Sequence, residues 1–370
     1  MARLKAQLNK FFIIFLTFKL LFFSDIVFSQ SNPENLLLKN YRPESIFKVQ
    51  KTTINKAKYS VIDIHSHAYV SSEKELDKWV EIMDSMGIEK TVILTKSYGR
   101  EFDSLANFFS KYPDKFILFC GFDYNAYDKP GYGSDAVNEL ERCYKKGARG
   151  IGELGDKGKG LFYCNPAAWG MHIDDSRMDL LLEKCADLGM PVSIHVGEPQ
   201  WFYETMDSTN DGLMTAYDWR LDTQKNILTL DEELKTLENA VAKHPRTIFI
   251  ACHFANQVTD LDKLGKLLDK YQNLYADIAA RLGEVSTVPR YTKEFIEKYN
   301  SRLLYGTDND PSREMYEMTF RILESEDEHF YNFDYGYHWP LNGLRLSNMT
   351  LKKLYYDNAG SILKIKYKIE

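Results

Sequence analysis

Eight short apolar runs recur along the chain. Between them lie stretches in which apolar residues fall three and four positions apart. The runs are "SVIDIH" (60–65), "KTVILT" (90–95), "FILFCGF" (116–122), "ARGIGEL" (148–154), "PVSIHV" (191–196), "TIFIACH" (247–253), "LYADIA" (274–279) and "RLLYGTD" (302–308). They are rich in Val, Ile, Leu and Phe and too short for helices, so they predict strands. The intervening "SSEKELDKWVEIMDSMG", "DSRMDLLLEKCADLG" and "LDEELKTLENAVAKHP" predict amphipathic helices, each stopped by Gly or Pro. Eight strand–helix alternations imply parallel strands joined by crossover helices. Eight is also the number that closes a barrel, so the expected architecture is a single-domain α/β (β/α)8 TIM barrel. A doubly wound open sheet would need a glycine-rich phosphate loop after its first strand, and this one ends in "HSHAY" instead. Two long loops, 197–228 after the fifth strand and 309–345 after the eighth, leave the strand ends where barrel enzymes build their sites.

The barrel is expected over residues 59–370, preceded by an arm over 30–58. Residues 1–29 read differently: a basic start, the apolar "FFIIFLTFKLLFF", then small residues at Val27 and Ser29. This predicts a signal peptide cut near Ser29 and an exported chain with no membrane segment once cleaved. The segment is net basic, so the mature chain would be more acidic than the formal −6 of the whole. With no Lys/Arg block, a nucleic-acid partner is not expected. At 44% hydrophobic, the chain can bury a barrel-sized core. The five cysteines, Cys120, Cys143, Cys164, Cys185 and Cys252, are irregularly spaced with no CxxC pair, so no disulfide framework or zinc knuckle is indicated. Oligomeric state is not legible.

The candidate chemistry sits at the ends of the runs. Asp63, His65 and His67 alternate, so a regular strand would put them on one face, with Asp63 placed to hold a ligand histidine. Alone, HxH is equally compatible with a structural pair. The fourth run, however, ends in Glu153, the fifth in His195, the sixth in His253 and the eighth in Asp308. Burying such groups unpaired costs roughly 2–7 kcal/mol for each neutral one and more for a charge. One shared partner explains them all: a divalent metal, which takes imidazole nitrogens and carboxylate oxygens together. His244 precedes its strand and is expected to be structural. His172 and His329 have weak claims, and His338 is expected at the surface.

The ordered set "DIHSH", "GIGEL", "VSIHVGEPQWF", "HPRTIFIACHFAN", "LYADIAAR" and "LLYGTDND" resembles the amidohydrolase superfamily, in its amidohydrolase-related branch. That branch holds metal-dependent hydrolases and decarboxylases similar to aminocarboxymuconate-semialdehyde decarboxylase. The resemblance implies metal ligation by His65, His67, His195 and Asp308. His253 would be a ligand in a two-metal centre or a catalytic acid/base in a one-metal centre. Asp308 would also orient or deprotonate the attacking water. Where many two-metal relatives carry a carboxylated lysine, this chain has Glu153, similar to the bridging glutamate of metal-dependent deoxyribonucleases. One or two ions, with zinc expected, are therefore implied. The leading activity is hydrolysis of an ester, amide or lactone bond in a small molecule. Alternatives are metal-dependent decarboxylation, with Arg281 or Arg313 as the cation for a carboxylate, and a non-catalytic binding protein. Trp201, Tyr203, Arg281 and Arg313 are the candidate substrate contacts.

Overall fold

The computed structural model describes residues 33–162, 166–334 and 338–365. The predicted signal peptide and Cys164 lie outside them. Ten strands form: β1 (Val61–Ser66), β2 (Ile88–Leu94), β3 (Phe116–Cys120), β4 (Ala148–Asp156), β5 (Gly160–Leu161), β6 (Ala168–Trp169), β7 (Val192–Val196), β8 (Phe249–Ala251), β9 (Leu274–Asp277) and β10 (Leu303–Leu304). All eight predicted runs contribute to one parallel sheet in the order β1-β2-β3-β4-β7-β8-β9-β10. β5 and β6 were not predicted; they make a small antiparallel hairpin on the end of β4. The ring closes through backbone bonds from Ile64 N to Tyr305 O (2.9 Å) and from Asp308 N to His65 O (2.8 Å). The chain is thus a nearly closed (β/α)8 barrel in a single domain.

The predicted helices form with the stops their sequences supply. Helix Glu73–Met86 begins with a Ser72/Glu75 capping box and ends at Gly87, whose φ of 83° suits glycine. Helix Leu230–Lys243 begins with a Thr229/Glu232 capping box. The eighth-strand loop differs from expectation, because "REMYEMTFRILE" forms helix Arg313–Glu324 and buries Met315, Tyr316, Phe320, Ile322 and Leu323. Its helical periodicity was present in the sequence, hidden between two polar stretches. The arm runs against this last segment, where Thr52 donates through its backbone N and its hydroxyl to Asp327 (both 2.7 Å).

Two cores result. Ile62, Ile64, Val92, Leu94, Phe119, Ile250 and Leu304 fill the barrel interior, while a larger set packs between strands and helices. Tyr356, Ala359 and Ile362 from the C-terminal segment join the interior set. Tyr356 also donates to Glu89 near the start of β2 (3.0 Å), so this segment closes the end away from the strand C-termini. Cys120, Cys143, Cys185 and Cys252 are buried free thiols, as packing residues rather than cross-links. His244, buried, is bonded to Glu183 (2.8 Å) and Asp179 (3.1 Å), a structural role as expected.

Interior packing sets a sharp steric condition at β4. A Cβ at Gly150 would lie 2.4 Å from the Phe119 ring. Gly150→Ala is expected to destabilise the fold by about 1–3 kcal/mol through overpacking. Denaturant unfolding measures this, and an unchanged midpoint would contradict the packing account.

Candidate metal centre

Six polar side chains converge at the C-terminal mouth: His65, His67, Glu153, His195, His253 and Asp308. Local irregularities aim them there. The β1–β2 register shifts between Asp63 and Ser66, around His65, and the β4–β7 register shifts between Ile151 and Leu154, around Glu153. Such bulges turn side chains out of strict alternation. His253 and Asp308 instead leave their strands with φ of 60° and 50°. His253 opens a run of four left-handed residues through Asn256, each costing roughly 1–2 kcal/mol in a non-glycine residue.

Every imidazole is anchored by one nitrogen. His65 Nδ1 lies 2.9 Å from Asp277 Oδ2, His67 Nδ1 2.8 Å from Leu94 O, His253 Nδ1 2.9 Å from Ala279 O, and His195 Nε2 2.8 Å from Gly197 O. A carbonyl oxygen only accepts, and so does an ionised carboxylate, so each of these nitrogens carries the proton. The opposite nitrogen faces inward, where it donates to a carboxylate while protonated and can ligate a metal once it gives up that proton. There the Glu153 carboxylate meets all four rings, with Oε1 also 3.7 Å from His65 Nε2. Its Oε1 lies 3.0 Å from His195 Nδ1 and 3.3 Å from His253 Nε2. Its Oε2 lies 3.6 Å from His67 Nε2 and 3.0 Å from Lys96 Nζ. Asp308 closes the other side, with Oδ1 3.3 Å from His67 Nε2 and 3.7 Å from His65 Nε2. Tyr69 OH donates to the same oxygen at 3.0 Å.

Electrostatics favour a cation. Burial alone would raise Glu153, but hydrogen bonds from His195 and His253 and the Lys96 charge hold it well below the ordinary carboxylate range. Asp308 is likewise lowered: burial is outweighed by His65 and by its bond to His67. Burial pushes His253 below its usual value, aided by the neighbouring His195 and His65. The buried His65 Nε2 has no hydrogen-bond partner, a cost that a bound metal removes. Imidazole nitrogens and carboxylate oxygens within 4.8 Å of one another form three overlapping groups here, His65–His67–Glu153, Glu153–His195–His253 and His65–His253–Asp277. The donor set therefore fits divalent metal.

The amidohydrolase family profile matches residues 75–365. The chain belongs to the amidohydrolase family. No curated protein matches it. Solved structures with the same fold include an uncharacterised TIM-barrel protein from Bordetella bronchiseptica (15% identity, 82% of this chain and 98% of that chain, TM-score 0.53). Others are 2,6-dihydroxybenzoate decarboxylase from Rhizobium (16%, 83% and 99%, 0.53) and a manganese-bound dihydroxybenzoic acid decarboxylase from Polaromonas (16%, 83% and 97%, 0.52). At these identities the likeness concerns the fold alone.

Around the amidohydrolase centre, the other candidates divide. Arg281 is partly buried near the mouth, bonded to Asn256 Oδ1 (2.8 Å) and Glu198 (3.4 Å). Tyr203 OH accepts the Glu198 backbone N–H at 3.2 Å. Trp201 meets Trp339 with ring centroids 6.2 Å apart, which joins the two long loops. A cavity of about 370 Å³ lies beside the strand ends, lined in part by Thr215, Arg281, Thr307, Asn309 and Asp334. Arg313 is not brought to this cluster: it starts an exposed helical turn and pairs with Glu317 (3.1 Å). His338 is half-buried against Trp339 rather than at the surface. Asp63 does not hold a ligand ring. It accepts the His65 backbone N–H (3.2 Å) and the Thr307 hydroxyl (2.7 Å), bracing β1 against the eighth-strand loop. The ring is held by Asp277, which the sequence reading passed over although it too breaks an apolar run at a strand end. Lys96 and Tyr69, also missed, follow strand ends with no pattern to single them out.

Asp277 also accepts the His253 backbone N–H at 2.8 Å. Asp277→Asn, which keeps the shape but loses the charge, should weaken metal binding about 10–100-fold. Zn²⁺ titration against a competing chelator measures this, and unchanged affinity would show that the His65–Asp277 pair does not position the ligand.

Proposed function

We propose that this amidohydrolase is a two-metal hydrolase acting on an ester, amide or lactone bond of a small molecule. One observation carries the reading: the Glu153 carboxylate touches all four imidazoles, its Oε1 facing His195, His253 and His65 at 3.0, 3.3 and 3.7 Å and its Oε2 facing His67 at 3.6 Å. His65 and His67, with Asp308, would hold one ion, His195 and His253 the other, and Glu153 would serve both. Zinc suits this set of nitrogen and oxygen donors. When bound, the metal supplies Lewis acidity that lowers the pKa of water and polarises the scissile group.

The chain's own residues do the rest. Asp308 is ionised and steadied by the Tyr69 hydroxyl, so it accepts the proton of the attacking water and returns it to the leaving atom. With His253 engaged as a ligand through Nε2, this proton traffic falls to Asp308. Lys96, on the Glu153 carboxylate, sets a positive charge where negative charge develops on the substrate. The cavity beside the strand ends is of small-molecule size. Decarboxylation needs one ion and a cation for the departing carboxylate. Arg281, the cation at the mouth named for that role, is engaged by Asn256 and Glu198, which favours hydrolysis.

Metal content and turnover test this together. His253→Ala should lower bound zinc by one equivalent while leaving the ion on His65 and His67. Asp308→Asn should lower kcat on a responsive ester, lactone or amide by about 10²–10⁴-fold. Unchanged metal content in the first variant, or retained turnover in the second, would overturn the two-metal hydrolytic reading.

A further inference from the structure

A second group of buried acids lies outside the amidohydrolase centre. Asp156 ends β4, His172 follows β6, and Glu233 stands in the first turn of helix Leu230–Lys243. Asp156 and Glu233 are fully buried, and the His172 side chain is 22% exposed. Asp156 Oδ1 accepts the backbone N–H groups of Gly158 (3.1 Å) and Gly160 (2.9 Å). Its Oδ2 lies 2.6 Å from His172 Nδ1, and Glu233 Oε1 lies 3.9 Å from that same nitrogen. Neither oxygen of the Glu233 carboxyl has a hydrogen-bond partner. Burial and the Asp156 charge push this carboxyl up to about 10. Two buried acids thus share one imidazole, and Glu233 keeps two unsatisfied oxygens inside the cluster.

We propose that Asp156, His172 and Glu233 hold a divalent cation of the zinc class in a structural site separate from the catalytic pair. Ligand atoms of the three residues lie within 4.8 Å of one another. Two carboxylate oxygens and one imidazole nitrogen match the donors zinc accepts once His172 Nδ1 and the Glu233 carboxyl release their protons to solvent, and the exposed edge of His172 leaves a position for water. The cation would satisfy the two Glu233 oxygens that nothing else in this cluster bonds. The site also has a mechanical role. Asp156 lies three residues beyond Glu153, and its carbonyl accepts the N–H of Gly197 (2.8 Å), two residues beyond His195. Clamping β4 and its hairpin to helix Leu230–Lys243 stiffens both strands that carry ligands of the main centre.

The competing arrangement is a proton shared between Glu233 and Asp156, and Glu233→Gln separates the two. A glutamine amide supplies the donor that a protonated Glu233 would supply, but it is a poor replacement for a carboxylate ligand. The full chain is loaded with Zn²⁺, desalted, and assayed for bound zinc and melting temperature. Glu233→Gln should lose one equivalent and melt at a lower temperature, and so should His172→Ala, which changes a partly exposed residue. Combined with His253→Ala, Glu233→Gln should lose two. Unchanged zinc content in both Glu233→Gln and His172→Ala would overturn the proposal. If His253→Ala alone leaves zinc unchanged while these variants lose it, the two-metal reading fails and this site stands.

Discussion

The anchoring of each imidazole by its outer nitrogen is the constraint on which the centre depends. A free histidine rotates, and it offers either nitrogen as donor or acceptor. Here a carboxylate or a backbone carbonyl takes one N–H from each of four rings. With one N–H held outside, the other nitrogen of each ring is aimed inward, toward Glu153 and Asp308, as the one a metal can take. Three of the four anchors are main-chain carbonyls. They are therefore supplied by the strand ends themselves, and the barrel's register sets ring orientation as well as position. The one side-chain anchor, Asp277, also bonds the His253 backbone. It couples the first-strand ligand to the sixth-strand ligand through a single buried charge.

Local order is given up to achieve this. Lys96, His253 and Asp308 all sit at positive φ, and both His65 and Glu153 lie inside breaks of strand register. Close approach adds another condition: a Cβ at Gly306 would lie 2.7 Å from the His65 Cβ. The interior aliphatic packing and the C-terminal segment under it supply the stability that holds these strained positions in place. Six of the positive-φ non-glycine residues, Lys96, His253, Phe254, Ala255, Asn256 and Asp308, gather where the polar groups converge.

The barrel was legible in the sequence because its signal is periodic: eight buried runs alternate with amphipathic helices. Five of the ligand candidates were legible for a related reason. A His, Glu or Asp closing an apolar run stands out against its neighbours. Asp277 has the same signature in "LYADIA" and was readable on that rule. Asp63 was misassigned because strict alternation was assumed across a bulge that only the register reveals. Helix Arg313–Glu324 was read as loop because polar segments flank it on both sides. Glu233 was hidden for the opposite reason. It lies in an ordinary acidic first helical turn, "LDEEL", where a carboxylate is expected to meet solvent and the helix dipole. Only the tertiary fold buries it against Asp156.

The two-metal proposal rests on one carboxylate, Glu153, that touches all four rings. On that proposal Glu153 would serve both ions, Asp308 would be left for proton transfer, and the buried, unpartnered His65 Nε2 would be a ligand rather than a defect. Anomalous diffraction at the zinc edge from crystals of the metal-loaded protein tests this most directly. The account predicts two peaks flanking the Glu153 carboxylate, one among His65, His67 and Asp308 and the other between His195 and His253. A single peak held jointly by His65, His67, His195 and Asp308, with Glu153 and His253 unliganded, would contradict it.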